Sequence, residues 1–202
     1  MDRVEILPNR GWDSRVLVAA LGTLVQTFLV VTRRYLVLVD TMINPDTAMQ
    51  LVRLGRAEAP GRELLVLNTH ADWDHYWGNQ IFACPILGHR LAMHRAVDEE
   101  NQVELAQMRA KNPELYSEVV LTSPTVGLEG RTVIDGGDLR LELIPTPGHQ
   151  PDHLAVFLPE ISLLLAGDAA EHPFPLVSQK GGLSQLRESI RAMQALKPTH
   201  AL

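Results

Sequence analysis

Apolar residues form short runs near the start of the chain. Residues 15–22 (RVLVAALG), 23–31 (TLVQTFLVV) and 35–41 (YLVLVDT) are rich in valine, leucine and threonine. Short apolar runs with many β-branched residues are typical of β-strands. The polar segment TRR precedes the last run and provides a turn. The pattern therefore predicts successive strands over residues 15–41.

The spacing of apolar residues then changes to that of a helix. The segment AMQLVRLG at residues 48–55 places apolar residues three and four positions apart, as on one face of a helix. Asn44 or Asp46 is suited to cap this helix, and Pro45 suits its first turn. The following run, ELLVLNTH at residues 63–70, is continuously apolar, which indicates a strand buried on both faces.

A second unit of strand and helix follows. CPILGH at residues 84–89 predicts a strand, and residues 91–118 are polar and helix-prone. Two interpretations of residues 91–118 remain open. The segment is either a solvated pair of surface helices or a helical cap over a nearby cleft.

Strands return in the last third of the chain. Residues 131–146 predict a hairpin that turns at 135–137, and residues 153–168 predict another that turns at 159–160. Residues 183–196 place apolar side chains on one face and predict a final helix.

The order of these elements indicates the fold class. Strands and helices are mixed in two similar halves, with no linker and no low-complexity segment. We therefore predict a single α+β domain over residues 1–202, in which two sheets pack together between outer helices.

Composition narrows the function classes. Lys and Arg total 18 against 24 Asp and Glu, and a net charge of −6 disfavours nucleic acid as a partner. Cys84 is the single cysteine, so no intrachain disulfide can form. The start of the chain lacks the pattern of a secretory signal, and the apolar stretch 16–31 is short for a bilayer and interrupted by polar residues. We expect a cytoplasmic protein without a membrane partner.

The eight histidines are unevenly distributed. Those that follow apolar runs or lie in turns marked by proline and glycine could converge from separate strand ends; they are His70, His75, His149 and His200. Those without such neighbours are interpreted as surface or structural residues; they are His89, His94 and His172. For His153 we predict a structural role, or a role in which it contacts the metal ligands but not the metal.

The densest group of metal-ligand types is HADWDH at residues 70–75. In an extended loop, residues 70, 72 and 74 would project to one side and His75 to the other, so that one loop could address two metal ions. Asp72 or Asp74 could instead cap the next helix. Further along the chain, the segments PTPGHQPDH, LLLAGD and KPTH supply His149, Asp168 and His200.

These dispersed motifs resemble the metallo-β-lactamase superfamily of metallohydrolases. That family has a His-x-His-x-Asp-His loop, a histidine in a TPGH-like turn, a GD aspartate and a final histidine, and this chain matches them in order over nearly its whole length. The resemblance implies an αββα sandwich with the site along one edge of the two sheets.

The resemblance also implies the roles of the site residues. One cation would be held by His70, residue 72 and His149, and a second by Asp74, His75 and His200. Asp168 would bridge the two cations. Asp74 is also the residue that we predict to act in catalysis. Zinc is the expected metal, with manganese or iron as alternatives, and two such cations can share a water and lower its pKa toward neutrality.

Asp72 departs from the family pattern, because it stands where the family has its second histidine. With three Asp ligands, the formal ligand charge would be −3 against +4 from two divalent cations. We expect a less electropositive site that binds zinc more weakly and favours harder ions such as manganese or ferrous iron. Alternatively, Asp72 does not reach the cation and holds a water instead.

Three functions are compatible with these residues. The first is a metal-dependent hydrolase of a small ester, thioester, lactone or amide, with a metal-bridging hydroxide as the nucleophile. The second is an iron-dependent redox enzyme of the same fold, and the third is a non-catalytic member. The expected partner is a small-molecule substrate, and the fold alone does not choose among substrates.

Overall fold

Two β-sheets form the centre of the computed structural model, which describes residues 3–171, 173–177 and 181–202. The first sheet contains, in chain order, β1 (Val4–Ile6), β2 (Val16–Leu21), β3 (Val25–Val31), β4 (Tyr35–Val39), β5 (Glu63–Leu67), β6 (Ile86–His89) and β7 (Val126–Leu128). The second sheet contains β8 (Thr132–Asp135), β9 (Arg140–Pro145), β10 (Leu154–Leu158), β11 (Leu163–Leu165) and β12 (His200–Ala201), in the spatial order β12-β11-β10-β9-β8.

Helices join the parallel strands. In the first sheet β1 to β4 are antiparallel, whereas β4 to β7 are parallel. The connections between them carry α1 (Pro45–Glu58), α2 (Trp73–Tyr76), α3 (Arg90–Arg95), α4 (Glu99–Lys111) and α5 (Pro113–Tyr116). In the second sheet, α6 (Gly182–Ala195) lies between the parallel strands β11 and β12.

The side chains of β4 show how the layers form. Val37 and Val39 point into the core between the two sheets, and Leu36 and Leu38 point into the core beneath the helices of the first sheet. This alternation buries both faces of the strand, because successive residues in a strand point to opposite sides. Leu186 and Met193 of α6 pack on the outer face of the second sheet. The predicted four-layer αββα sandwich is confirmed.

The start of α1 shows a complete cap. The side chain of Asn44 accepts a hydrogen bond from the backbone N–H of Thr47 at 2.9 Å, and the Thr47 hydroxyl faces the Asn44 backbone N–H at 3.3 Å. Of the two candidates, Asn44 is therefore the cap. Its amide also donates to the carbonyl oxygen of Leu115 at 3.0 Å, which ties α1 to α5.

Residues 91–118 are helical, as predicted, and they pack closely on the first sheet. Leu105 and Tyr116 are buried in its outer core, and the Tyr76 hydroxyl donates to the carbonyl oxygen of Ala96 at 2.7 Å. The segment therefore belongs to the outer helical layer and is more than a solvated pair of helices. Its role as a cap that shapes a substrate pocket stays a prediction.

Three short strands escaped the sequence pattern. β1, β7 and β12 span only two or three residues each, which is too short for an alternating pattern to develop. No helix in the described part of the chain is long and apolar enough to cross a bilayer.

Candidate metal centre

The site residues lie where strands of both sheets end. The segment 68–75 follows β5, the turn with His149 follows β9, and Asp168 follows β11. Rigid strands thus present these side chains from separate loops at one edge of the sandwich.

Two groups of ligand atoms converge at this edge. In the first group, Oδ2 of Asp72 lies 3.5 Å from Nε2 of His70 and 3.3 Å from Nε2 of His149. In the second, Oδ2 of Asp168 lies 3.4 Å from Nε2 of His75 and 4.0 Å from Nε2 of His70. Asp168 also lies 3.6 Å from Nε2 of His149, so its carboxylate faces both groups.

The three imidazoles share one arrangement. Nδ1 of His70 lies 2.9 Å from the Thr69 hydroxyl, Nδ1 of His75 lies 2.9 Å from Oδ2 of Asp40, and Nδ1 of His149 lies 3.0 Å from the carbonyl oxygen of Leu176. A carboxylate or a carbonyl oxygen only accepts, so Nδ1 of His75 and of His149 must carry a hydrogen. Each Nε2 is thus directed at the convergent group.

This donor set fits a divalent cation. Imidazole nitrogens and carboxylate oxygens are ligands of zinc and related metals, and ligand histidines commonly donate their other N–H to a protein acceptor. Nε2 of His70 is buried without a hydrogen-bond partner in the described part of the chain, which is costly unless a cation uses its lone pair.

Asp40 is a site residue that the sequence pattern did not reveal. It directly follows the strand β4, has a φ of 71°, and is 2% exposed. Its carboxylate accepts from the backbone N–H and the hydroxyl of Thr69, both at 2.7 Å, and faces Nδ1 of His75. Asp40 therefore orients His75 directly and His70 through Thr69. A hint was its position as an acidic residue at the end of an apolar strand.

We expect Asp40→Asn to weaken cation binding. The amide cannot accept from both Thr69 and His75 as the carboxylate does, so the affinity at His75 should fall by about 10- to 100-fold. Competition titration against a chromophoric chelator measures this. Asp135→Asn is the control, because Asp135 pairs with Arg34 and its side chain is 61% exposed. Equal affinities of Asp40→Asn and the control would contradict the orienting role.

Asp74 lies beside the second group. The segment from Trp73 to Tyr76 is a helical turn and not the extended loop that we predicted, so His75 faces the same cluster as His70 instead of the opposite side. Asp72 occupies the N-cap position of this turn but makes no side-chain cap. Oδ2 of Asp74 lies 3.7 Å from Nε2 of His75. Burial raises the pKa of Asp74, although His75 and His70 oppose this shift.

His200 does not join the cluster. It pairs with Leu163, at the start of β11, in a parallel register. Asp168 comes after the end of β11, so His200 lies toward the opposite end of the strand pair from the cluster. Its Nδ1 lies 3.3 Å from the Thr199 hydroxyl. The geometry thus corrects the prediction that His200 is a ligand.

The other histidines that the structure describes lie outside the convergent groups. His89 caps α3, where its Nδ1 accepts from the backbone N–H of Leu91, and His94 is exposed. The prediction for His172 falls outside the described residues. His153 is buried with its Nδ1 2.8 Å from the Thr146 hydroxyl and its ring centroid 5.1 Å from that of His70. Burial first, and then His70 and His149, lower the pKa of His153 well below its usual value.

The Asp72 carboxylate is held from two sides. Oδ1 lies 2.9 Å from Nη2 of Arg95, and Oδ2 accepts from Nε2 of Gln150 at 2.7 Å. Burial acts to raise the pKa of Asp72, but the neighbouring imidazoles of His149 and His70, together with the charge of Arg95, hold it well below the usual value. Arg95 offsets part of the negative charge of Asp72, which a count of ligand charges alone omits.

A cleft of about 430 Å³ opens beside the second group. Its wall includes the apolar side chains of Leu24, Val25 and Phe28, from the β2–β3 hairpin. Asp74 and Asp168 lie in the same lining. The cleft therefore brings apolar surface next to the convergent ligand atoms, as a small-molecule site requires.

Comparison with known proteins identifies the family. The family model described as the metallo-beta-lactamase superfamily matches residues 21–199. No curated protein sequence matches the chain. Among solved structures, a metallo-beta-lactamase family protein from Thermus thermophilus is 20% identical, with a TM-score of 0.69 over 98% of this chain and 72% of that one.

Two further structures show the same fold. A metallo-beta-lactamase from Pontibacter korlensis is 19% identical, with a TM-score of 0.70 over 98% of this chain and 87% of that one. The stereoselective inverting sec-alkylsulfatase Pisa1 from Pseudomonas sp. is 18% identical, with a TM-score of 0.70 over 96% of this chain and 36% of that one. With its family match, its sandwich and its convergent His and Asp side chains, the chain belongs to the metallo-beta-lactamase superfamily.

Proposed function

We propose that this protein is a dinuclear metal-dependent hydrolase that acts on a small ester, thioester, lactone or amide. The observation that carries the proposal is the convergence of Nε2 atoms from His70, His75 and His149 on the carboxylates of Asp72 and Asp168. The superfamily consists mostly of metal-dependent hydrolases, and the donor set suits zinc first.

Each group of ligand atoms has a separate task in this proposal. His70, Asp72 and His149 would hold one cation, and His75 with Asp168 would hold the second, beside Asp74. Asp168 would be shared by both, because its Oδ2 lies within 4.0 Å of Nε2 in all three histidines. Two divalent cations, when bound, supply a hydroxide nucleophile at neutral pH and polarise the carbonyl oxygen under attack.

Asp74 is the proposed proton carrier. Its carboxylate lines the cleft and lies 3.7 Å from Nε2 of His75, at the border between ligands and substrate space. There it can take the proton that the attacking water releases and pass that proton to the leaving group. No serine or cysteine nucleophile is needed in this scheme.

The cleft favours uncharged substrates. Its described lining contains no lysine or arginine, whereas Asp74, Asp168 and the exposed Glu171 contribute carboxylates. The hairpin side chains Leu24 and Phe28 add an apolar wall. We expect neutral acyl substrates to be hydrolysed faster than matched substrates with a carboxylate on the acyl chain, because the exposed carboxylate of Glu171, which lies outside the proposed metal ligands, repels the added charge.

Removal of metal should abolish hydrolysis. Metal content is first measured on protein purified without added metal, and a panel of neutral esters, thioesters, lactones and amides, with phosphoesters for comparison, identifies the best substrate. Chelation should then reduce its turnover by at least about 1000-fold, since the metal stabilises the transition state by several kcal/mol. Zinc, manganese or ferrous iron should restore the rate. Full activity in metal-free protein would contradict the proposal.

An iron-dependent redox enzyme is the second candidate, and the carboxylate of Asp72 is the observation that favours it. An oxygen donor in place of an imidazole suits harder ions such as ferrous iron. Iron in the purified protein, together with no hydrolysis across the panel, would favour this function. Protein that binds no metal would instead indicate a non-catalytic member.

A further inference from the structure

Arg95 connects the candidate metal ligand Asp72 to a buried acidic residue. It ends α3, within the helical segment 91–118, and its guanidinium pairs through Nη2 with Oδ1 of Asp72 at 2.9 Å and through Nη1 with Oδ1 of Asp152. The Asp152 side chain is 0% exposed, and its other oxygen accepts from the backbone N–H of Ala71 at 2.8 Å. The guanidinium is thus anchored beside the ligand loop.

This network divides the two oxygens of Asp72 between different tasks. Oδ1 is occupied by Arg95, whereas Oδ2, which also accepts from Gln150 at 2.7 Å, lies 3.5 Å from Nε2 of His70 and 3.3 Å from Nε2 of His149. A free carboxylate can rotate and chelate a cation with both oxygens. A carboxylate whose Oδ1 is held in this way offers a cation only Oδ2.

The number of oxygens that Asp72 offers bears on the choice of metal. Zinc is usually bound by four ligands in a tetrahedron, whereas manganese prefers six ligands that are mostly oxygen. One oxygen from Asp72, two imidazoles and the proposed bridge Asp168 would together supply the four ligands of a tetrahedron. Two oxygens from Asp72 would raise the coordination number of the cation and favour manganese.

We propose that Arg95 is a positioning residue that restricts Asp72 to one ligand oxygen and thereby keeps the site of His70, Asp72 and His149 selective for zinc over manganese. The inference rests on the proposed metal-binding function. An arginine suits this task, because its planar fork can hold two carboxylates at fixed angles; a lysine provides the charge without the fork.

The test compares the affinities for zinc and for manganese at the site of His70, Asp72 and His149. The ratio of the two affinities is measured by calorimetric titration of the apoprotein. Arg95→Met and Arg95→Lys should both lower this ratio by about 10-fold or more, as expected for loss of a group that orients a ligand. Both cations carry the same charge, so loss of the Arg95 charge alone changes both affinities alike and leaves the ratio unchanged. Arg90→Met is the control, because Arg90 lies on the same helix and its side chain is 65% exposed.

A double substitution tests whether Arg95 acts through Asp72. In an Asp72→His background, Arg95→Lys should leave the zinc to manganese ratio unchanged, because no carboxylate remains to be oriented. The absorption of bound cobalt, which is intense in four-coordinate sites and weak in six-coordinate ones, should weaken in Arg95→Lys and recover in the double variant.

Three results would overturn the inference. An unchanged ratio in Arg95→Lys and Arg95→Met would show that Arg95 does not orient the ligand. An equal change in the Asp72→His background would show that Arg95 acts on the fold and not through Asp72. Wild-type protein that binds neither metal would overturn the proposed function and this inference together, and the wild-type titration alone distinguishes that case.

Discussion

Asp168→Ala is expected to remove nearly all hydrolytic activity and at least one bound cation. Asp168 is the carboxylate that faces all three convergent histidines, with its Oδ2 between 3.4 and 4.0 Å from their Nε2 atoms. Burial acts to raise its pKa, but His75, His70 and His149 hold it well below the usual value, so the group is ionised at neutral pH and ready to bind a cation. Losing it should cost at least about 1000-fold in turnover.

Metal analysis separates this effect from a general loss of structure. The variant should keep its circular dichroism spectrum while its bound metal, measured by mass spectrometry, falls by one equivalent or more. Asp135→Asn, at the end of β8, should retain both metal and activity, because Asp135 lies in an exposed pair with Arg34. Unchanged metal stoichiometry in Asp168→Ala would refute the bridging role.

Gly148→Ala is expected to lower the stability of the fold strongly. Gly148 has a φ of 141°, and a Cβ at this position would lie 2.4 Å from the backbone N and Cα of Leu186 in α6. The turn before His149 therefore touches the backbone of the outer helix, and the Ser189 hydroxyl donates to the carbonyl oxygen of Pro147 at 2.7 Å. Backbone strain and overpacking of about 1–3 kcal/mol each should lower the free energy of unfolding by about 3 kcal/mol or more.

Gly130→Ala is the matched control for this prediction. Gly130 also has a positive φ, of 67°, but a Cβ there would meet no atom within 4 Å. Urea unfolding should show a loss of about 1 kcal/mol for Gly130→Ala, from strain alone. If the two variants lose equal stability, the close approach of Gly148 to α6 is not a constraint. Because Gly148 precedes His149, Gly148→Ala should also weaken metal binding.

Much of the fold follows from local patterns. The β-branched runs at residues 15–41 predicted β2, β3 and β4 because both faces of these strands are buried and nearly every position is apolar. Asn44 and Pro45 marked the start of α1, because a cap and a fixed φ act within one turn of the chain. Signals of this kind depend on neighbours in the sequence and need no knowledge of the partner elements.

The principal ligand candidates were also visible in the sequence. His70, Asp72, His149 and Asp168 follow apolar runs or lie in marked turns, and the structure brings them together. His75 was predicted from the same loop. The direction in which its side chain projects was predicted wrongly, because the segment after Asp72 forms a helical turn. Local residue types thus predicted which groups can bind a cation.

Only the tertiary structure decided how those groups are held. Asp40 is 35 residues from His75 in the chain, and Arg95 is 57 residues from Asp152. Nothing in the spacing of either pair indicates that the side chains meet, and the register of β12 against β11 is what removes His200 from the cluster. The sequence by itself determined the sandwich and its ligand types, since those depend on burial and on chemistry at single positions. The orientation of each ligand was decided by the tertiary structure, because hydrogen bonds between distant segments form only when the two sheets and their helices have packed.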